Sequence, residues 1–351
     1  MRAVDLSNNN WWGGEKRRIL YLDYSRVLVA LLVIYGHVLP YSNYFPRTFI
    51  YSFHMAFFFI VSGMLHKYKE TIDWKKYLRT LIVPALFFNV ILWIISTPLF
   101  YFGIWDYAAR YKDVLPDTLL EAYIYMAAGG IKAIILGRGI APSGPCWFLF
   151  ALFFCKIASD LIDRYSLRKL LPVFILLFVV CTLKHKSLFC FGNAIMSIPF
   201  FFFGHHFRHQ ITNFIDARDI RQKLFYSIVL LILTIGLTHV NGQVSMWNVS
   251  YGSKWPLPIS FMLFHLNAFC GSFMFLFASS LLKRPFEKIV TIANSLITIL
   301  GFQVFFIFFC WYDFPILTTP LLGLLVSVGI LFGCHWAHCI IIKCAPFLIG
   351  K

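Results

Sequence analysis

The sequence predicts an all-α, polytopic integral membrane bundle of about ten transmembrane helices, and three observations carry that prediction. The composition is 60% hydrophobic and only 13% charged, with a mean hydropathy of +0.74, outside the range of water-soluble domains. Apolar runs long enough to cross a hydrocarbon core of about 30 Å recur to the C-terminus and leave no room for a sizeable soluble domain. Lys and Arg alternate between dense and sparse loops, as expected when successive loops lie on opposite sides of a membrane.

The elements follow in order. The opening stretch MRAVDLSNNNWWGGEKRR is polar and glycine-interrupted and lacks the apolar core and cleavage site of a signal peptide. Residues 1–20 are therefore read as a cytoplasmic tail, 21–342 as one transmembrane domain and 343–351 as a cytoplasmic C-terminal tail. Spans are expected at 21–41, 48–66, 79–101, 145–160, 170–184, 188–204, 224–240, 258–282, 289–310 and 320–342. The run 121–136 (EAYIYMAAGGIKAIIL) competes with them, but Gly129, Gly130 and Lys132 mark it as a re-entrant or interfacial helix.

With the N-terminus inside, the outer segments hold only Arg47, Arg110, Lys112, Lys132, Arg138, Lys184, Lys186 and Lys254 of the 31 Lys and Arg. Arg26 and Lys156 fall within spans, and the rest lie inside. This asymmetry places both termini in the cytoplasm, with the bacterial inner membrane the expected location. The net charge of +16 then reflects topology and anionic lipid headgroups. It does not call for nucleic acid, which would need a soluble basic face.

Span one, YLDYSRVLVALLVIYGHVLPY, is the most informative element. Arg26 and His37 are separated by ten residues, about 20° past three full turns, so both face one way about 16 Å apart. Ionisable residues in a membrane helix mark functional positions. The distance makes them two stations on one buried path and not a contacting pair. In span two, FHMAFFFIVSGML, His54 should sit near the depth of His37. It either makes an interhelical hydrogen bond or faces substrate; Ser62 and Gly63 allow close packing. The following WKKYLRTLIVP places Lys75, Lys76 and Arg79 at the cytoplasmic mouth, with Pro84 bending or breaking the helix further on. Such a cluster suits either lipid headgroups or the phosphates of a donor nucleotide.

The remaining polar residues are mostly read as structural. Nine cysteines are scattered through the spans, where they behave as small apolar residues, and no disulfide framework emerges. Cys334, His335, His338 and Cys339 have spacings that could hold zinc, but helix packing is the expected use. His205, His206 and His209 are read as a solvated basic rim. No metal is expected, and no phosphate loop, nucleophile elbow or HExxH occurs.

Four features in register then resemble the acyltransferase 3 family of membrane acyltransferases. They are the Arg26 to His37 spacing, the FHM…SG run from Phe53 to Gly63, the KxxR of Lys76 and Arg79 before Pro84, and PCWFL from Pro145 to Leu149. SIPFFFFG and ANSLITILGFQ resemble later family segments less sharply. The closest likeness is to fucose 4-O-acetylase-like O-acetyltransferases. The resemblance implies transfer of an acetyl group from cytoplasmic acetyl-CoA to a hydroxyl of a cell-surface glycan or lipid-linked sugar. It makes His37 and Arg26 the essential pair and assigns Lys76 and Arg79 to the basic motif. Two departures stand out: lysine at position 76 where arginine is common, and Gln303 where histidine is common, so no chemistry is assigned to Gln303. Some family members append an esterase-like domain. Without one, this chain is expected to act alone on a small or lipid-linked glycan, or to pass the acyl group to a separate partner.

The chemistry needs a base for the sugar hydroxyl, a site for an anionic donor and stabilisation of the oxyanion. His37 is read as the base, with an acyl-carrying histidine left open as an alternative. Arg26 meets donor phosphates, pairs with Asp23, or does both. Trp147 and Phe148 either stack on a sugar or belong to the aromatic belt. The rival reading is a transporter or flippase of a lipid-linked saccharide, but no paired broken helices or internal repeat support it.

Overall fold

The computed structural model describes residues 11–12, 15–16, 19–39, 45–67, 72–104, 117–135, 141–165, 190–246, 253–312 and 319–351. These residues form a helical bundle, apart from two-residue strands β1 (Trp11–Trp12) and β2 (Glu15–Lys16) that pair antiparallel in the N-terminal tail. Six helices among the described residues are long and apolar enough to cross a membrane, or seven if one bent pair counts as a span. The expected span 170–184 lies outside the described residues.

Helix α1 (Leu20–Val38) is the central post. It packs against α2 (Phe45–Tyr51), α11 (Leu257–Ser280), α12 (Glu287–Ala293), α13 (Leu296–Tyr312) and α14 (Pro320–Cys344). At its N-terminal end the Tyr24 hydroxyl donates to the Arg284 carbonyl (2.5 Å) and accepts from the Phe286 N–H (3.0 Å), tying the post to the loop before α12.

Several expected spans are broken. The segment 48–66 divides into α2 and the 11-residue α3 (His54–Met64), with the chain turning at Ser52 and Phe53. Phe53 stacks on Phe275 of α11 (5.4 Å) and lies against Gly271, so that packing holds the break open. Where a bend or break at Pro84 was expected, there is no break and the helix continues. Trp74–Tyr101 is one 28-residue segment made of α4 (Trp74–Tyr77), a π-helical turn Leu78–Ile82 and α5 (Val83–Tyr101). The π turn ends just before Pro84, which stands in the first turn of α5. The span expected at 289–310 is α12 and α13, bent by 78°. Ser295 at the bend bonds His335 Nδ1 (2.6 Å), and Thr298 bonds His338 Nδ1 (2.7 Å). These two histidines thus brace the bend from α14, in keeping with the packing role expected of them. The segment 121–136 is the 17-residue α6 (Leu119–Ile135), packed on α5.

Between helices in lipid there is little hydrophobic driving force, so close backbone approach and hydrogen bonds hold the bundle. The clearest case is the crossing of α3 with α8 (Phe191–His206). A Cβ on Gly63 would overlap the Phe201 carbonyl, and one on Gly204 would overlap the Ile60 carbonyl. The bundle also includes α7 (Trp147–Tyr165), α9 (Arg208–Asp216) and α10 (Ile220–Asn241), with α10 and α11 forming a packed pair. The outward faces of α10 and α14 carry exposed Phe225, Ile232, Leu321 and Leu325, as lipid contact requires.

Two apolar cores result. One is built mainly from α3, α5, α7, α8 and α11 with Tyr21, Leu22 and Val29 of α1, the other from the remaining buried residues of α1 with α12, α13 and α14. Between them lies a cavity.

Candidate active site

The cavity is about 770 Å³, and its walls come from both cores. Arg26, Ala30, Val33 and His37 line it from α1. Their spacing of four, three and four places them on one helix face, as the reading of Arg26 and His37 as one stripe requires. His54, Met55, Phe58 and Ser62 face it from α3, and Leu296, Leu300, Gln303 and Val304 from α13. The wall is mostly apolar, with a few polar side chains at its ends and one side.

At one end Arg26 pairs with Asp23, the partner foreseen from the sequence, and its Nε donates to the Leu22 carbonyl (3.3 Å). The Asp23 side chain is 4% exposed and that of Arg26 is 23%. The carboxylate anchors the guanidinium from behind while leaving part of it open.

Toward the other end sits a group that sequence reasoning saw only in part. His37 Nδ1 and the Tyr51 hydroxyl are 2.9 Å apart. Tyr51 stands edge-on to both His37 (centroids 5.5 Å) and His54 (5.0 Å), and the Arg47 guanidinium lies over its ring at 5.0 Å. His54 Nδ1 donates to the Ile50 carbonyl (2.9 Å) across the helix break. That bond leaves Nε2 of a neutral His54 as an acceptor. Tyr51 was missed because its only signal is a phenol three residues before His54 in a run rich in aromatics. The break between α2 and α3, a tertiary feature, is what turns it toward His37.

Trp147 and Phe148 also line the cavity. Phe148 packs on Phe59 (4.8 Å) and Trp147 lies near the same ring (6.5 Å). The preceding 3-10 segment Ala141–Cys146 packs against α13 and α5, carrying the chain into the bundle before α7 begins. Gln303, to which no chemistry was assigned, is 2% exposed on the cavity wall. Its amide oxygen has no hydrogen-bond partner among the described residues, so it can accept one from a ligand.

The basic motif stands apart. Lys75, Lys76 and Arg79 are exposed and absent from the cavity wall. Lys75 lies over the Trp74 ring (5.7 Å), and Arg79 donates to the Lys351 carbonyl (2.8 Å). They nevertheless flank it, since Leu81, two residues beyond Arg79 in the π turn, is a wall residue.

At the same end of α3 is a polar junction that sequence reasoning did not find. Asp160 of α7, fully buried, accepts from Tyr77 (2.6 Å) and bonds His66 Nε2 (2.8 Å). Asp163 bonds His205 Nε2 (2.8 Å). His205 is therefore buried and partnered, and does not belong to a solvated rim. Burial of the Asp160 carboxylate is tolerable because both its oxygens are hydrogen-bonded.

A family model described as an acyltransferase domain matches residues 19–339. No curated protein and no solved structure matches the chain.

Proposed function

The chain belongs to the acyltransferase 3 family and is a membrane acyltransferase, and from that premise we propose that it moves an acetyl group from acetyl-CoA to a carbohydrate hydroxyl. The acceptor is a cell-surface glycan or a lipid-linked sugar precursor. The observation that supports this most is the single cavity joining Arg26 to His37, His54 and Trp147. Two substrates can enter such a space from different ends and meet at a histidine.

In this reading both termini are cytoplasmic and the nucleotide of acetyl-CoA stays at the Arg26 end. Lys75, Lys76 and Arg79 hold its phosphates outside the cavity, and Arg26 guards the opening. The uncharged pantetheine arm runs along the apolar wall past Ala30 and Val33, so the charged nucleotide never enters the low-dielectric interior. The sugar approaches from the His37 end, with Trp147 offering a face for stacking and His54 Nε2 accepting from a sugar hydroxyl.

His37 acts as general base. When its Nδ1–H donates to Tyr51, Nε2 carries the lone pair, and Tyr51 thus fixes the productive tautomer. The sugar hydroxyl gives its proton to Nε2 as its oxygen attacks the thioester carbonyl. The C–S bond then breaks, and the proton passes from His37 to the departing CoA sulfur. This accounts for every proton without a covalent acyl-enzyme.

The test is acetyl-CoA turnover by the purified protein with candidate glycans. His37→Ala should lower kcat by about 10²–10⁴-fold, the usual contribution of a positioned base, while membrane insertion and thermal unfolding stay unchanged. Wild-type turnover by a correctly inserted His37→Ala protein would overturn the assignment.

A further inference from the structure

We propose that Asp163, His205 and His206 form a binding site for a divalent transition-metal ion at the end of α3 far from His54. The three residues converge because of the fold. His205 and His206 are the last residues of α8, just past the Gly204 crossing, and Asp163 lies on the neighbouring α7. Their donor atoms all lie within 4.8 Å of one another.

Asp163 differs from Asp160, three residues earlier. Asp160 has a close partner on each oxygen, His66 on one and Tyr77 on the other. Among the described residues Asp163 has a close partner on one oxygen only: Oδ2 is 2.8 Å from His205 Nε2, while Oδ1 is 3.9 Å from His206 Nε2. A gap of 3.9 Å is too long for a hydrogen bond. An ion bound at about 2.0–2.2 Å from nitrogen and oxygen spans it. Two imidazoles and one carboxylate suit zinc or a similar borderline ion, whereas magnesium and calcium prefer oxygen alone.

Access is also suitable. The His206 side chain is 47% exposed, Asp163 18% and His205 8%. An ion can therefore enter from water and keep water ligands on its open side, while His205 Nε2, giving up to solvent the proton it shares with Asp163 Oδ2, ligates it on the bundle side. Binding would clamp the end of α8 to α7, beside the His66 ring that lies 5.1 Å from His205.

The experiment uses the full-length protein, purified and stripped with a chelator, then titrated with zinc by calorimetry and with cobalt(II) for its absorption spectrum. The wild type should bind one equivalent and unfold at a higher temperature with zinc than without. His206→Ala, an exposed change that leaves the fold intact, should weaken binding by at least about tenfold and abolish the thermal shift, and Asp163→Asn should do the same. Cys339→Ala removes the thiol 3.8 Å from His335 Nε2 in the other histidine and cysteine group and should leave both readings as in the wild type. Zinc binding by His206→Ala equal to that of the wild type, or a loss seen only in Cys339→Ala, would overturn the proposal.

Discussion

Tyr51 shows how little a residue's identity says before its neighbours are known. A tyrosine in an aromatic-rich membrane segment has the belt or simple packing as its ordinary uses, yet here its hydroxyl is 2.9 Å from His37 Nδ1. If it holds the base in one tautomer, Tyr51→Phe keeps the ring packing against His54 and removes the hydroxyl that makes that hydrogen bond. We expect a drop in kcat of roughly tenfold or more, by analogy with partners that orient metal-bound histidines, with KM for acetyl-CoA unchanged. Steady-state kinetics separates the two effects, because a group that acts only on the reacting complex leaves ground-state binding alone. A raised KM with unchanged kcat would instead make Tyr51 a substrate ligand. Arg26 and His37 were legible from spacing alone because helical periodicity is a property of a single element. Asp160 and Asp163 were not, since a carboxylate in a span has meaning only once its partners, His66 and His205, are brought from elsewhere in the chain.

At the scale of elements, the crossing of α3 and α8 places the site. Gly63 was read as a close-packing position, and its hydrogen does lie against the Phe201 backbone, with Gly204 reciprocating on Ile60. Gly204→Val would push the backbones apart, since neither carbonyl can rotate away as a side chain could. Thermal unfolding in detergent should show a loss on the order of 1–3 kcal/mol, and turnover should fall with it because His54 and Ser62 ride on the displaced helix. A valine variant as stable as the wild type would mean that the two helices are not held at this distance. The helix breaks were less legible. The turn at Ser52 and Phe53 and the 78° bend between α12 and α13 carry no proline. They depend on Phe53 packing against Gly271 and on histidines reaching from α14 to Ser295 and Thr298. Pro84, read as bending or breaking the helix, does not break it: a π turn precedes it and the segment runs on to Tyr101.

For the whole molecule, the telling feature is a cavity between two cores, with charged residues outside it at one end and imidazoles within it toward the other. The proposed path for the pantetheine arm can be blocked without touching either charge or base. Ala30 lies on the cavity face of α1 between Arg26 and His37, so Ala30→Phe should obstruct the arm. Turnover of acetyl-CoA should fall about a hundredfold, the scale expected when reacting groups are displaced by an ångström or so, while adenosine 3′,5′-bisphosphate still binds in a competition assay. Full turnover by this variant would place the donor on another route. By itself the sequence determined the membrane class, the helical fold, the family and the Arg26 to His37 stripe, because each follows from composition, periodicity or local motif. Only the tertiary structure decided where helices break, that Tyr51 meets His37, that Trp147 lines the cavity, and that the basic motif stands off it. Those features depend on contacts between residues far apart in the chain, and no local pattern encodes the distance between two helices.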